Sequence, residues 1–383
     1  MKSVKILALG LALAAGVAQA QTTEVYGLFD VGILNTTNQG TLNGTATQIS
    51  SGIDKTSRIG FRAGEDLGGG LKVSVNLEAG VSASDGGQLP LATSGAQNNL
   101  FSRASNLAVT SNTFGKITIG RQGNPLNKVQ SLGDTRAMSN FGSSALFWGD
   151  GSAFGGTATA KTGFGTLTGT TFSSNTIRWD LPAIAGIEVT PYMVVGGQPG
   201  DMEYSSRRGI VATTAFGPLT IGGAFARGYG STGANTSEVQ SVNGNFNAGA
   251  FTVGAGWTQL SNPSTNVSNA ANSMFVIQQL TAKYALSKEI TLTGGQYIME
   301  DRVTTANRAV VSALGLDYAA SKRTVFYAAA GTVDNSGAFG VAVHSAGYAN
   351  VNSLSTGSST WPSVINSAAT DQTAVAFGIR HSF

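Results

Sequence analysis

The sequence predicts an all-β chain folded as a 16-stranded antiparallel transmembrane β-barrel, with long external loops and short periplasmic turns. Three observations lead there. Apolar and polar residues alternate with period two from residue 24 to the end, the connections between these segments alternate short and long, and the last segment runs into a terminal Phe383.

The first twenty residues stand apart. Lys2 and Lys5 precede an apolar run at 6–18, and Ala18-Gln19-Ala20 forms an A-x-A cleavage site, so 1–20 is expected to be a secretory signal peptide. The barrel domain is then 21–383. Beyond residue 21 no stretch of ~18 apolar residues could cross a membrane as a helix.

Each strand follows from parity. In 24–33, Val25, Phe29, Val31 and Ile33 alternate with Glu24, Tyr26, Leu28 and Asp30. In 58–63, Ile59 and Phe61 oppose Arg58 and Arg62. The cleanest segment is 71–81, where Leu71, Val73, Val75, Leu77, Ala79 and Val81 oppose Lys72, Ser74, Asn76 and Glu78. Further segments are expected at 100–110, 116–119, 176–181, 187–193, 205–216, 218–228, 239–247, 250–260, 273–285, 289–300, 307–319 and 323–332. In 100–110, Arg103 shares parity with Leu107 and Val109, which requires a bulge or removes Arg103 from the polar face.

The connections sort by side. Short joins fall at 64–70, 111–115, 182–186, 217–218, 248–250, 287–288 and 320–322, and long polar ones at 36–56, 82–99, 123–172, 197–204, 229–238, 261–272, 301–306 and 333–370. An outer-membrane barrel sorts its connections in this way, and a soluble sandwich has no reason to. Tyr284-Ala-Leu-Ser-Lys and Tyr318-Ala-Ala-Ser-Lys read as one turn solution used twice, with the Tyr in an interfacial girdle.

With apolar faces outward, the charged faces must line water, because a charge facing lipid at mid-depth costs roughly 2–4 kcal/mol. A barrel of about 16 strands is wide enough for an aqueous channel. The closing strand, 371–383, sets Val375, Phe377, Ile379 and Phe383 on one face. A terminus with that pattern is expected to pair with the first strand and shut the barrel.

Composition excludes other classes. Without its two signal lysines the chain carries 23 − 2 = 21 basic against 20 acidic residues, which leaves no nucleic-acid footprint. Zero cysteines exclude disulfides and thiolate chemistry, and the two histidines stand apart, so no catalytic site, metal or cofactor is expected. The glycine-rich run at 149–156 has no strand before it and no helix after it, so it is not a phosphate cradle.

The segments EVYGLFDVGI, SRIGFRAGEDLGGGLKVSVNLEAG, FGKITIGRQGNPL, YALSK, YAASKRT and FGIRHSF together resemble the general porins of Gram-negative outer membranes, beta-proteobacterial branch. The resemblance implies a homotrimer, a third loop folded into the lumen and passive diffusion of small hydrophilic solutes and ions. It also implies contact with outer-membrane lipid and lipopolysaccharide, and a terminal strand read by the outer-membrane assembly machinery. That strand makes Phe377 and Phe383 assembly and closure residues. The third-loop inference has support in the residues, since 123–172 is far longer than ordinary loops and contains Leu126, Met138, Phe141, Phe147, Trp148 and Phe154.

Rings of charge at a constriction decide which ions enter. The resemblance places a basic cluster on the wall opposite the third loop, with Arg58, Arg103 and Arg178 at the matching motif positions and at comparable height. Arg62 and Lys72 are inward by parity, nearer the periplasmic mouth. On the loop, Asp134 and Asp150 are expected to form the acidic edge, and the selectivity leans toward anions. Glu24, Asp30 and Glu78 are the other inward acids, and the arginines could simply pair with them to stiffen the wall. Two alternatives remain: a substrate-specific channel of the same fold, or a surface receptor or adhesin acting through its long loops.

Overall fold

The computed structural model describes residues 22–39, 44–87, 100–148, 172–230, 235–261, 274–303, 305–337, 339–344 and 371–383. Its strands are β1 (Thr22–Gln39), β2 (Gly44–Ser51), β3 (Arg58–Gly68), β4 (Leu71–Gly80), β5 (Ala104–Ser111), β6 (Gly115–Gly123), β7 (Phe172–Asp180), β8 (Ile187–Val194) and β9 (Arg207–Phe216). They continue as β10 (Leu219–Tyr229), β11 (Asn235–Ala248), β12 (Phe251–Ser261), β13 (Met274–Ala285), β14 (Ile290–Asp301), β15 (Arg308–Ala319), β16 (Thr324–Ser336) and β17 (Gln372–Ser382). Two short helices, α1 (Leu126–Leu132) and α2 (Ala145–Trp148), lie between β6 and β7. Among the described residues no helix is long and apolar enough to cross a membrane.

Each strand pairs antiparallel with its neighbours, and β17 pairs with β1, so the sheet closes. Both β2 and β3 lie along β1, on its outer and inner halves, with residues 52–57 between them. The seventeen strands therefore fill 17 − 1 = 16 positions in the wall. The interruption at 52–57 was not expected; the whole of 36–56 was read as loop.

The outside of the barrel is apolar and the inside polar. Val25, Phe29, Ile33, Phe61, Leu107, Ile119, Leu280, Leu314, Val375 and Phe377 are exposed hydrophobics on the parity expected to meet lipid. Side chains of the opposite parity carry the charges and the buried contacts.

Turns are two to six residues on the periplasmic side, as at 69–70, 217–218 and 181–186. Gly69 and Gly70 both take positive φ, +61° and +81°, the geometry of the tightest hairpin turn and one a side chain resists. The repeated Tyr-x-x-Ser-Lys segment is one turn used twice. Ser287 Oγ accepts from the Glu289 and Ile290 amides at 3.1 and 3.0 Å, and Ser321 Oγ from Arg323 and Thr324 at 3.2 and 3.0 Å.

The closure matches expectation in detail. Gly27 and Phe383 exchange two backbone hydrogen bonds of 3.1 Å, and the Phe383 ring stacks on Phe29 with centroids 5.8 Å apart. A Cβ on Gly27 would lie 2.3 Å from the Phe383 ring, so this stack needs glycine there. Inside, three tyrosines lie flat over the glycine directly across the ladder: Tyr26 over Gly60, Tyr192 over Gly209 and Tyr327 over Gly378. Each ring covers backbone that the glycine leaves bare.

The wall is uneven. Strand β5 has 8 residues and β11 has 14. At ~3.3 Å per residue and ~45° of tilt these rise about 19 and 33 Å.

Candidate pore constriction

Loop 3 leaves β6 and crosses the inside of the barrel. Asn124 Oδ1 accepts from the Leu126 amide at 3.1 Å, and Pro125 supplies a φ already suited to a helix start, so α1 begins at once. Leu126 and Val129 are buried against the wall. After α1 the chain passes strand after strand. Leu132 O accepts from Asn245, Gly133 O and the Thr135 amide meet Thr281, Asp134 accepts from Tyr297, and Arg136 donates to Thr293. A Cβ on Gly133 would meet Gln279, Ala255 and Asn243 at 2.4–2.7 Å, which is how closely the loop lies on β11–β13.

Residues 136–140 of loop 3 abut residues 52–57. Asp54 O accepts from the Asn140 amide at 2.9 Å, Asp54 Oδ1 from Ser139 Oγ at 2.7 Å, and Lys55 Nζ donates to the Arg136 and Ala137 carbonyls at 3.1 and 2.8 Å. Arg380 on β17 then pairs with both Asp54 and Asp317. None of Lys55, Asp54, Asp317 or Arg380 was singled out from the sequence as a site residue. Arg380 had the inward parity that could have pointed to it.

Several expected pore residues prove structural. Asp30 is fully buried: its carboxylate accepts from Tyr327 at 2.6 Å and from the Asp54 and Lys55 amides at 2.9 and 2.5 Å, so it holds the break between β2 and β3 in shape. Asp134 is 2% exposed and accepts from Tyr297, Ser144 and the Arg136 amide, so it faces the wall rather than an acidic pore edge. Asp150 lies outside the described residues.

Arg103 precedes β5 rather than standing in it, so no bulge is required. Its guanidinium is 2.5 Å from Glu78 and 4.6 Å from the centre of the Phe172 ring, buried and ion-paired. Glu78 also accepts from Tyr26 at 2.8 Å. Arg58 opens β3 half-buried, opposite Gly80 and close enough to Glu78 to act on its charge.

Arg178 does not share their height. Arg58 and Arg103 stand 69 − 58 = 11 and 112 − 103 = 9 residues before their turns, but Arg178 only 181 − 178 = 3. It donates twice to Asp180, at 2.9 and 2.7 Å, near the periplasmic end. Arg62 lies 4.0 Å from Glu24 and 3.9 Å over the Tyr26 ring, and Lys72 is 3.8 Å from Asp66 in open water. The charged group that α1 itself presents to water is Lys128, which reaches Glu188 on β8 at 2.6 Å.

The last loop also differs from expectation. Residues 333–336 extend β16, and 339–344 turn inward onto loop 3, whereas all of 333–370 was read as external. Among the described residues no group of three His, Cys, Asp or Glu side chains could hold a metal ion.

A closed barrel with an apolar exterior, a polar interior and residues 124–148 laid across its inside is the architecture of a barrel that spans a membrane. Among solved structures, an anion-selective porin from Comamonas acidovorans matches with a TM-score of 0.72 at 19% identity, covering 95% of this chain and 100% of its own. The trimer form of OmpT from Vibrio cholerae gives 0.60 at 19% identity over 95% and 100%. In sequence, the chain is 31% identical to an outer membrane porin protein of Bordetella pertussis over 141 residues, 33% of this chain and 35% of the relative. It is also 31% identical to outer membrane porin protein 32 of Delftia acidovorans over 117 residues, 30% of each. The matched parts thus span about a third of the length of these curated relatives. Residues 7–338 match the Gram-negative porin family, and with strands, loop and lumen in agreement, the chain belongs to that family of integral outer-membrane barrels.

Proposed function

We propose that the chain is a passive diffusion channel for small hydrophilic solutes and ions, with an aperture that favours anions. The observation that carries this reading is the asymmetry of charge at the constriction. Arg58 and Arg62 stand on the wall, Lys128 stands on the loop, and the carboxylates Asp134 and Asp30 are withdrawn into buried hydrogen bonds. An anion in the aperture then meets cations on both sides, whereas the Asp134 and Asp30 carboxylates are turned into buried hydrogen bonds away from a passing cation. Arg58 and Arg62 carry the selectivity role, Arg103 is the buried partner that orients Glu78, and Arg178 and Lys72 tune the periplasmic mouth. We assign the channel no enzymatic activity.

Residues 1–20 act as a signal peptide in this reading, and the working unit is a homotrimer. The low wall around β5 supports the assembly, since about 19 Å of strand falls short of the ~25 Å apolar band a lipid-facing wall needs. A neighbouring protomer supplies the missing height. Lipid and lipopolysaccharide surround the remaining walls, and the assembly machinery reads the strand that ends at Phe383.

Planar-bilayer recording tests the reading. Stepwise conductance and a reversal potential of anionic sign in a salt gradient are expected; a silent bilayer overturns the channel, and a cationic potential overturns the selectivity.

A further inference from the structure

The short segment 339–344 lies inside the barrel on top of loop 3. Phe339, Val341 and Val343 are buried, at 2%, 2% and 0% exposure. The Asn335 side chain brackets Val341, accepting from its amide at 3.0 Å and donating to its carbonyl at 2.9 Å, and Gln372 accepts from the Val343 amide at 2.9 Å. These bonds tie the segment to β16 and β17. Its other edge faces loop 3: the Gly142 amide donates to Val343 O at 2.7 Å, and His344 forms a bridge with Phe141, their ring centroids 6.5 Å apart. Gly331 makes room, because a Cβ there would come within 3.1 Å of Val343 and 3.2 Å of Phe141.

We propose that Phe339–His344 is a clamp positioning loop 3 from the cell-surface side, and that protonation of His344 loosens it. The inference rests on the channel reading and adds an element that sets the aperture. His344 is 3% exposed, and among the described residues no side chain hydrogen-bonds its buried ring nitrogens, the Gly52 backbone being the polar group that acts on them. Burial pushes its imidazole down to about 4, and the nearby Gly52 backbone opposes that only in part.

The charged groups on the surrounding elements are committed elsewhere. Asp54 pairs with Arg380, Lys55 holds loop carbonyls, Asp134 accepts from Tyr297, Arg136 donates to Thr293 and Phe141 O, and Asp30 accepts from Tyr327. Among the described residues a proton on His344 would therefore be a buried charge without a counterion. With the docked value below the ordinary 6.5, docking is undiminished above 6.5 and weakens as pH falls toward about 4. The release equilibrium rises roughly 25-fold between ~pH 7 and ~pH 5.

The test is recording of the reconstituted full-length channel from ~pH 7 to ~pH 4 in wild type and His344→Phe, which keeps a buried ring but cannot take a proton. Wild type is expected to gain open-channel noise and mean conductance as the pH falls, and His344→Phe to gain markedly less over the same range. Identical profiles, or a flat wild type, overturn the clamp. If His344→Phe fails to assemble, His344→Gln makes the same comparison. A wild type that forms no channels overturns the channel reading instead, so the two failures are distinct.

Discussion

The two sides of the lumen handle charge in opposite ways. Along the loop side, from β11 round to β1, the charges that meet loop 3 and the 52–57 break are tied into hydrogen bonds: Asp134 to Tyr297, Asp30 to Tyr327, and Arg380 between Asp54 and Asp317. Along the open wall, Arg62, Lys72 and Glu24 keep half or more of their side-chain surface in water. A buried charge is tolerable only when its partners are complete, and completing them makes it rigid. A solvated charge holds nothing in place but stays available to a passing ion. In the proposed reading one side is a mount and the other a filter, although both have the same inward parity in the sequence.

Perturbing the mount should produce the largest effect. Asp54→Leu leaves Arg380 with Asp317 alone and Ser139 without its acceptor at a largely buried site, and a loss of about 2–4 kcal/mol in barrel stability is expected. Thermal unfolding of the purified protein checks this; a midpoint equal to wild type would mean that the network is incidental. Next in size is the seam. Phe383→Ala should lower the yield of assembled barrel several-fold while leaving the conductance of each surviving channel unchanged. Gly27→Ala should do the same in wild type and cost less in Phe383→Ala, because the ring is then gone and only the contact with the Arg58 carbonyl, 2.8 Å from the added Cβ, remains. Additive defects in the double variant would argue against the stacking account.

The filter should respond in selectivity rather than stability. Arg58→Ala should move the reversal potential toward cations by more than Arg178→Ala does, since Arg178 is held by Asp180 near the periplasmic mouth. Equal shifts would return Arg178 to the constriction. Arg103→Ala should act mainly on stability by stranding Glu78. The smallest effect is expected from Lys72→Gln, whose side chain is 66% exposed and 3.8 Å from Asp66. A shift in potential as large as that of Arg58→Ala would erase the distinction between filter and mouth.

Much of this architecture was legible from the residues. Parity separates Val25 and Phe29 from Glu24 and Asp30, and the alternation of joins gives the side on which each strand ends. The burial of Asp30 was not legible, because parity says that a side chain points inward without saying whether water or protein awaits it. Asp134 failed for the same reason. The break at 52–57 reads as ordinary loop, because its GIDKTS composition matches a turn and its partners lie far off at Asn140 and Arg380. The inward turn at 339–344 did leave a signal. Phe339, Val341 and Val343 alternate like a strand within a stretch read as surface loop, and polar surface does not need such alternation.

The twin serine turns bear on how the barrel comes together. Ser287 and Ser321 each set a hairpin register from within a few residues, so β13–β14 and β15–β16 can zip up from their turns. The seam instead requires Gly27 to find Phe383 across 383 − 27 = 356 positions of chain. Loop-closure entropy makes that meeting the costly step, so closure follows the hairpins in time. A barrel whose hairpins have formed and whose seam has not is an open sheet with β1 and β17 as its free edges, and that stage offers another protein two edges to hold.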